Sequence, residues 1–155
     1  MVEKKRNKIY YSWNDFNNDM MFLVNYVRTK YPDIKHLVAL PRGGLTPGAY
    51  LSNHLGIELH YNFNFEHEPK ETLIIDDIVD TGDTIKQINN YNDYTILSLW
   101  YKLGSKVVPD VHCKSCPSVI WVVFPWEPED LETVKQNTFK KEEKIKLEGN
   151  KNECS

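Results

Sequence analysis

Apolar and polar positions along this chain follow two periods, and the switches between them mark out its elements. Ile9-Tyr10-Tyr11 is a short apolar start, and Ser12 with Asp15 three residues on reads as an N-cap followed by an acid in the first turn. Phe16, Met20, Leu23, Val24, Val27 and Tyr31 then recur at spacings of three and four, which predicts an amphipathic helix with one core-facing side, stopped by Pro32. His36-Leu37-Val38-Ala39-Leu40 is nearly continuous in apolar character, as expected of a strand covered on both faces, and it breaks at Pro41-Arg42-Gly43-Gly44. Thr46 and Pro47 are placed to cap and begin a second helix, which Gly56 ends.

Residues 57–65 alternate like a strand, and the charged stretch 66–71 links them to Thr72-Leu73-Ile74-Ile75. That apolar run is expected to stop at Asp76 and Asp77, with a hydroxyl-rich, Gly-containing turn leading into a helix that starts near Thr81 and continues through Ile85 and Ile88. Residues 94–101 read as the next strand, with Lys102 directly beyond it, and residues 118–127 as a strand-like segment unusually rich in aromatics. Strands alternate with helices. The fold class is therefore α/β, with a mainly parallel sheet and a ligand at its carboxyl edge.

Length changes this picture little: 155 residues are most economically one domain, taken here as residues 1–137. Residues 130–136 allow a helical turn or two, and residues 138–155 are a Lys-, Glu- and Asn-rich tail with almost nothing to bury, expected to be disordered. A hydrophobic fraction of 41% and a charged fraction of 26% suit a soluble globular protein. A net charge of −3 gives no electrostatic reason for a nucleic-acid or bilayer partner, and no apolar run approaches a membrane span. The charged start does not read as a signal peptide, and three cysteines suit a reducing compartment, so the expected location is cytoplasmic. His112-Cys113-Lys114-Ser115-Cys116 looks like half a zinc site, but no second pair stands at a matching spacing, and small residues in a loop are the plainer reading. His60 and His67 with Glu66 and Glu68 are conceivable metal ligands, with a solvated turn the simpler account.

The candidate chemistry lies in the central segment. Asp76, Asp77 and Asp80 gather three carboxylates at one loop, which is costly unless a cation or sugar hydroxyls compensate. Thr81, Gly82 and Thr84 add hydroxyls and a close backbone approach suited to a phosphate. Arg42 and Gly43 offer a second anion-holding loop with a guanidinium alongside.

Thr72 to Thr84 resembles the diphosphoribosyl-binding signature of the type I phosphoribosyltransferases, and Pro41-Arg42-Gly43-Gly44-Leu45 resembles their pyrophosphate loop. The likeness runs from Ile9 to Glu127 and is strongest to the purine branch, the xanthine-guanine and hypoxanthine phosphoribosyltransferases. It implies a parallel sheet with a small hood built from chain ends, and transfer of a phosphoribosyl group from phosphoribosyl diphosphate to a 6-oxopurine, with magnesium. Under it, Asp76 and Asp77 hold the ribose hydroxyls directly or through the metal. Asp80, Thr81, Gly82, Asp83 and Thr84 bind the 5-phosphate, Asp83 with its side chain turned away. Arg42 and Gly43 hold pyrophosphate, and Asp80 accepts or shares the purine N7 proton. Lys102 meets the base's exocyclic oxygen, Trp121 stacks on the purine, and the Val122 backbone reads its edge. A homo-oligomer, dimer or tetramer, is also implied. Two departures stand out: the link at residues 66–71 is short where many members carry a long mobile loop, and Val123 stands where xanthine-guanine members have an acid. A phosphoribosyl diphosphate-binding regulator without turnover is the alternative, and the base-pocket residues Lys102 and Trp121 speak against it. A phospho-acceptor receiver domain also puts acids at strand ends but does not call for Thr81-Gly82-Asp83-Thr84.

Overall fold

The computed structural model describes residues 7–62 and 66–128. Strand β1 (Lys8–Tyr10) leads to helix α1 (Trp13–Lys30), then β2 (His36–Ala39), α2 (Leu45–Leu55) and β3 (Glu58–His60). After a single 3-10 turn come β4 (Thr72–Val79), the one-turn helix α3 (Asp83–Lys86), a second 3-10 turn, β5 (Thr95–Lys102), β6 (Val111–Cys116) and β7 (Trp121–Val123).

Helix α1 begins as its cap predicts: the Asp15 backbone N–H donates to Ser12 Oγ at 3.0 Å, and the Ser12 backbone N–H donates to the Asp15 carboxylate at 3.2 Å. Phe16, Met20, Leu23, Val24 and Val27 are buried, each worth roughly 1.5–3 kcal/mol of apolar transfer, so packing more than propensity holds an Asn-rich helix together. Helix α2 starts one residue earlier than Thr46, with Gly44 as its N-cap. Thr46 is not the cap, and Pro47 falls in the first turn, where a missing N–H costs nothing. Gly56, left-handed at φ 65°, closes it as expected.

The main sheet is parallel throughout, in the order β3-β2-β4-β5-β6. Leu37, Ala39, Leu73, Ile75, Leu97 and Leu99 pack toward α1 and α2, while Val38, Ile74 and Ile96 form a second core with Ile85 and Ile88 on the opposite face. From β2 the chain steps outward to β3, then returns to place β4 on the other side of β2. The connections leaving β2 and β4 therefore diverge to opposite faces, and a crevice opens at the carboxyl ends of these two strands.

A separate two-stranded parallel sheet pairs β1 with β7 above that edge. It is anchored by Tyr11, whose N–H donates to the Val123 carbonyl at 2.9 Å and whose hydroxyl donates to Asp19 on α1 at 2.5 Å. Lys114 of β6 closes the cluster, 2.7 Å from the same carboxylate. Burial, then the Asp19 contact, pushes the Tyr11 phenol far above its ordinary range, so it stays a donor at every working pH.

Several expectations are corrected. Strand β4 does not stop at Asp76 but runs through both acids to Val79, because its ladder with β5 uses backbone groups and pairs Asp76 with Ser98 regardless of side chain. The helix after the turn is a single turn from Asp83, not a longer one from Thr81. Strand β3 covers only Glu58–His60 of residues 57–65, and residues 63–65 lie outside the described residues. Lys102 is the last residue of β5, not the residue after it. Only Trp121–Val123 of the aromatic segment is strand. The Cys113/Cys116 segment is the edge strand β6 and not a loop; three residues apart on a strand, the two side chains fall on opposite faces and cannot share a metal. Residues 130–136 and the tail 138–155 lie outside the described residues.

Candidate active site

The crevice between the carboxyl ends of β2 and β4, roofed by the two-stranded hood, is a cavity of about 580 Å³. Each wall comes from a different element. From the loop after β2 come Pro41, Arg42 and Gly43; from β4 and its turn, Asp76, Asp77, Asp80 and Thr84; from β5, Lys102; from the hood strand, Trp121 and Val122. Residues some 80 apart in sequence thus face one space.

The loop after β2 carries a cis peptide between Pro41 and Arg42. Gly43 lies so close to β4 that a Cβ there would fall on the Asp77 carboxylate, and a Cβ at Gly44 would meet the backbone oxygens of Leu40 and Ile75 at 2.6 and 2.7 Å. Both glycines are therefore required by contact. They press the anion-holding loop against the acids.

Asp77 is buried, and its Oδ1 accepts from the Ile78 N–H at 2.8 Å. Asp76 is half-buried by surface, and its Oδ1 accepts from the Asp77 N–H at 2.9 Å. Burial raises the Asp76 carboxyl well above the ordinary carboxylate range, and the adjacent Asp77 charge pushes the same way. Two carboxylates held like this attract a proton or a cation. Their oxygens are hard donors of the kind a magnesium ion takes.

In the turn, Gly82 is left-handed at φ 87°, and a Cβ there would stand 2.8 Å from the Val107 backbone N. The Thr81 carbonyl accepts from the Lys106 N–H at 2.9 Å, and Thr81 Oγ1 accepts from the Asp83 N–H at 3.2 Å. Asp83 turns its side chain to Lys106, at 2.8 Å; that contact, then the Thr81 hydroxyl, holds its carboxyl below the usual range. Of the five residues expected at the 5-phosphate, Asp80 and Thr84 line the cavity, while Thr81, Gly82 and Asp83 form the loop that carries them.

Lys102 is almost wholly buried, a position a lysine keeps only with a partner. Its Nζ donates to Asp80 Oδ2 at 3.2 Å and lies 5.9 Å from the centre of the Trp121 ring. The acid at the turn, the ammonium at the end of β5 and the hood indole are thus one assembly.

Five cavity residues were not singled out in the sequence: Ile78, Phe124, Trp126, Glu127 and Pro128. Trp126 stacks on Phe124 with ring centres 4.9 Å apart, and Glu127 Oε2 accepts from the Phe124 N–H at 3.4 Å. The aromatic density of residues 118–127 was the available signal. Val123 is buried and does not line the cavity. The Cys113 thiol is pushed up to about 12 by burial and then by Asp19, which leaves it protonated and poor as a ligand.

No protein-family model matches the chain. Relatives do. A xanthine-guanine phosphoribosyltransferase of Gluconobacter oxydans is 26% identical over 77% of this chain and 84% of its own length. The solved purine phosphoribosyltransferase of Pyrococcus horikoshii superposes with a TM-score of 0.67 at 28% identity, covering 79% of this chain and 95% of the other. The xanthine-guanine-hypoxanthine phosphoribosyltransferase of Helicobacter pylori gives a TM-score of 0.67 at 27% identity, covering 84% and 99%. In sequence and in fold this chain is similar to the type I phosphoribosyltransferases of the purine branch. Among the described residues no helix is long and apolar enough to cross a membrane.

Proposed function

We propose that this phosphoribosyltransferase moves the phosphoribosyl group of phosphoribosyl diphosphate onto a 6-oxopurine, guanine, hypoxanthine or xanthine, releasing pyrophosphate and the purine nucleoside monophosphate. The observation that carries the reading is the buried Lys102 ammonium, held by Asp80 and faced by Trp121, in the same cavity as the Asp76-Asp77 pair and the Arg42-Gly43 loop. An ammonium has donors and no acceptor, so it suits a carbonyl oxygen at purine position 6 and not adenine's amino group.

The bond from the anomeric carbon to pyrophosphate breaks early and leaves oxocarbenium character, so the protein's work is positioning and charge management. Arg42 and the Gly43 backbone hold the leaving pyrophosphate. Thr81, Gly82, Asp83 and Thr84 take the 5-phosphate through backbone and hydroxyl groups. Trp121 stacks on the base, and the Val122 backbone reads its edge. Asp80 accepts or shares the N7 proton as the base attacks, and its contact with Lys102 keeps it on the base's side of the cavity. Asp76 and Asp77 take the ribose hydroxyls and suit magnesium, which when bound offsets the charge of the diphosphate. The proposed enzyme is cytoplasmic and homo-oligomeric; Met21 and Phe22 on α1 leave apolar surface exposed for a second copy.

Absorbance changes on conversion of guanine, hypoxanthine or xanthine, followed with magnesium and phosphoribosyl diphosphate, test the reading. Turnover of at least one 6-oxopurine is expected. Tight phosphoribosyl diphosphate binding with no base consumed would favour the regulator instead.

A further inference from the structure

Away from the cavity, three of the chain's five histidines come together at the outer edge of the main sheet. Parallel pairing of β2 with β3 sets His36 opposite Glu58 and Val38 opposite His60, so His36, Glu58 and His60 share one face by the two-residue period of strands. His67 reaches the same place from the link before β4. Its ring stacks on His36 with centres 3.8 Å apart and lies 4.6 Å from the His60 ring. All three are half-buried, and none lines the active-site cavity.

We propose that His36, His60 and His67, completed by Glu58, bind one divalent first-row transition ion, with zinc the best fit. Zinc–nitrogen bonds of 2.0–2.1 Å put neighbouring ligand atoms of a tetrahedral site ~3.3–3.4 Å apart. His60 Nε2 and His36 Nδ1 stand 3.3 Å apart, and Glu58 Oε2 lies 3.5 Å from that His36 nitrogen and 3.7 Å from that His60 nitrogen. Those three atoms already span most of one tetrahedral face. The three histidine ligand atoms lie within 4.8 Å of one another, so His67 has at most ~1.5 Å to close, within reach of a side-chain rotation. Three imidazoles and a carboxylate select zinc, cobalt, nickel or copper over magnesium, which prefers oxygen alone. Four protein ligands make a closed, structural site. Its consequence is mechanical: one ion ties His67, and with it the short link to the central strand, onto the β2–β3 edge.

The test uses the full chain, stripped with a chelator and titrated with cobalt(II), then zinc(II). One cobalt per chain is expected, with the visible absorption of a four-coordinate nitrogen-rich site, displaced by one equivalent of zinc. An oxygen-only site at Asp76 and Asp77 would give no such band. His67→Gln, which lies off the sheet, and His60→Gln should each weaken zinc binding by at least ~10-fold, with far-ultraviolet circular dichroism of the metal-free protein unchanged. Failure to bind cobalt in the four-coordinate form, zinc affinity in both histidine variants equal to that of the unmutated chain, or a strong near-ultraviolet thiolate band would each overturn the proposal.

Discussion

Replacing Lys102 with methionine removes one charge from the cavity while keeping most of the side chain's volume, so the loss can be read as chemistry. Lys102 is 4% exposed, and Asp80 takes one of the three ammonium donors at 3.2 Å, which leaves donors for a base oxygen. A hydrogen bond to a charged group is worth about 1.5–3 kcal/mol, or roughly 10- to 150-fold in specificity constant. The stem still packs beneath Trp121, and Asp80, whose side chain is 53% exposed, can be hydrated when its partner is gone. Folding stability should therefore change little. The assay is a competition of guanine, hypoxanthine and adenine for limiting phosphoribosyl diphosphate, run with both proteins after matching their melting curves. The unmutated protein should favour guanine and hypoxanthine over adenine by roughly 10²–10⁴. Lys102→Met should lose the 10- to 150-fold on the oxopurines and leave adenine within a few-fold. Adenine converted as fast as guanine by the unmutated protein would refute the assignment of Lys102.

Asp80→Asn keeps an oxygen for Lys102 but cannot take a proton, so kcat should fall about 10²–10⁴ while calorimetric affinity for phosphoribosyl diphosphate stays within a few-fold; unchanged turnover removes Asp80 from the mechanism. Because burial, then Asp77, raises the Asp76 carboxyl, its protonated form stabilises the free protein fully below the ordinary Asp value, and that contribution is lost as pH rises through the raised one. Asp76→Asn should flatten this dependence and add about 0.5–2 kcal/mol at neutral pH while weakening phosphoribosyl diphosphate binding; denaturant midpoints across pH decide it, and a variant less stable than the parent at neutral pH counts against the argument. Gly82→Ala, forced into φ 87° beside the Val107 N–H, should cost about 1–3 kcal/mol and raise KM for phosphoribosyl diphosphate; an unchanged melting temperature would mean the turn relaxes freely.

How much of this was legible depended on whether a residue's neighbours lay nearby in sequence. Helix α1 showed itself because its cap and apolar stripe are both local, whereas strand β6 was missed because an edge strand need bury little, and Lys114, Ser115 and His112 broke the apolar signal. Asp76 and Asp77 read as a strand end since acids are poor strand formers, yet backbone pairing to β5 carries the strand past them. The short α3 was overread from Ile85 and Ile88, which are buried as expected but span a turn that ends before Ile88. The cavity residues Arg42, Asp76, Asp77, Asp80, Thr84, Lys102 and Trp121 were all named from motifs, and the structure places them around one space. What no motif carried was the Asp80–Lys102 contact between residues 22 apart, and the meeting of His36 with His60, which the parallel register of β2 and β3 creates.

The central claim is group transfer, and phosphorus-31 nuclear magnetic resonance of the purified chain with magnesium, phosphoribosyl diphosphate and guanine tests it most directly. The expected result is that the two diphosphoryl signals of the substrate give way to free pyrophosphate while its 5-phosphate signal is replaced, in equal amount, by that of a purine nucleotide. An unchanged spectrum under saturating substrate, or pyrophosphate accompanied by ribose 5-phosphate with the guanine left intact, would contradict it.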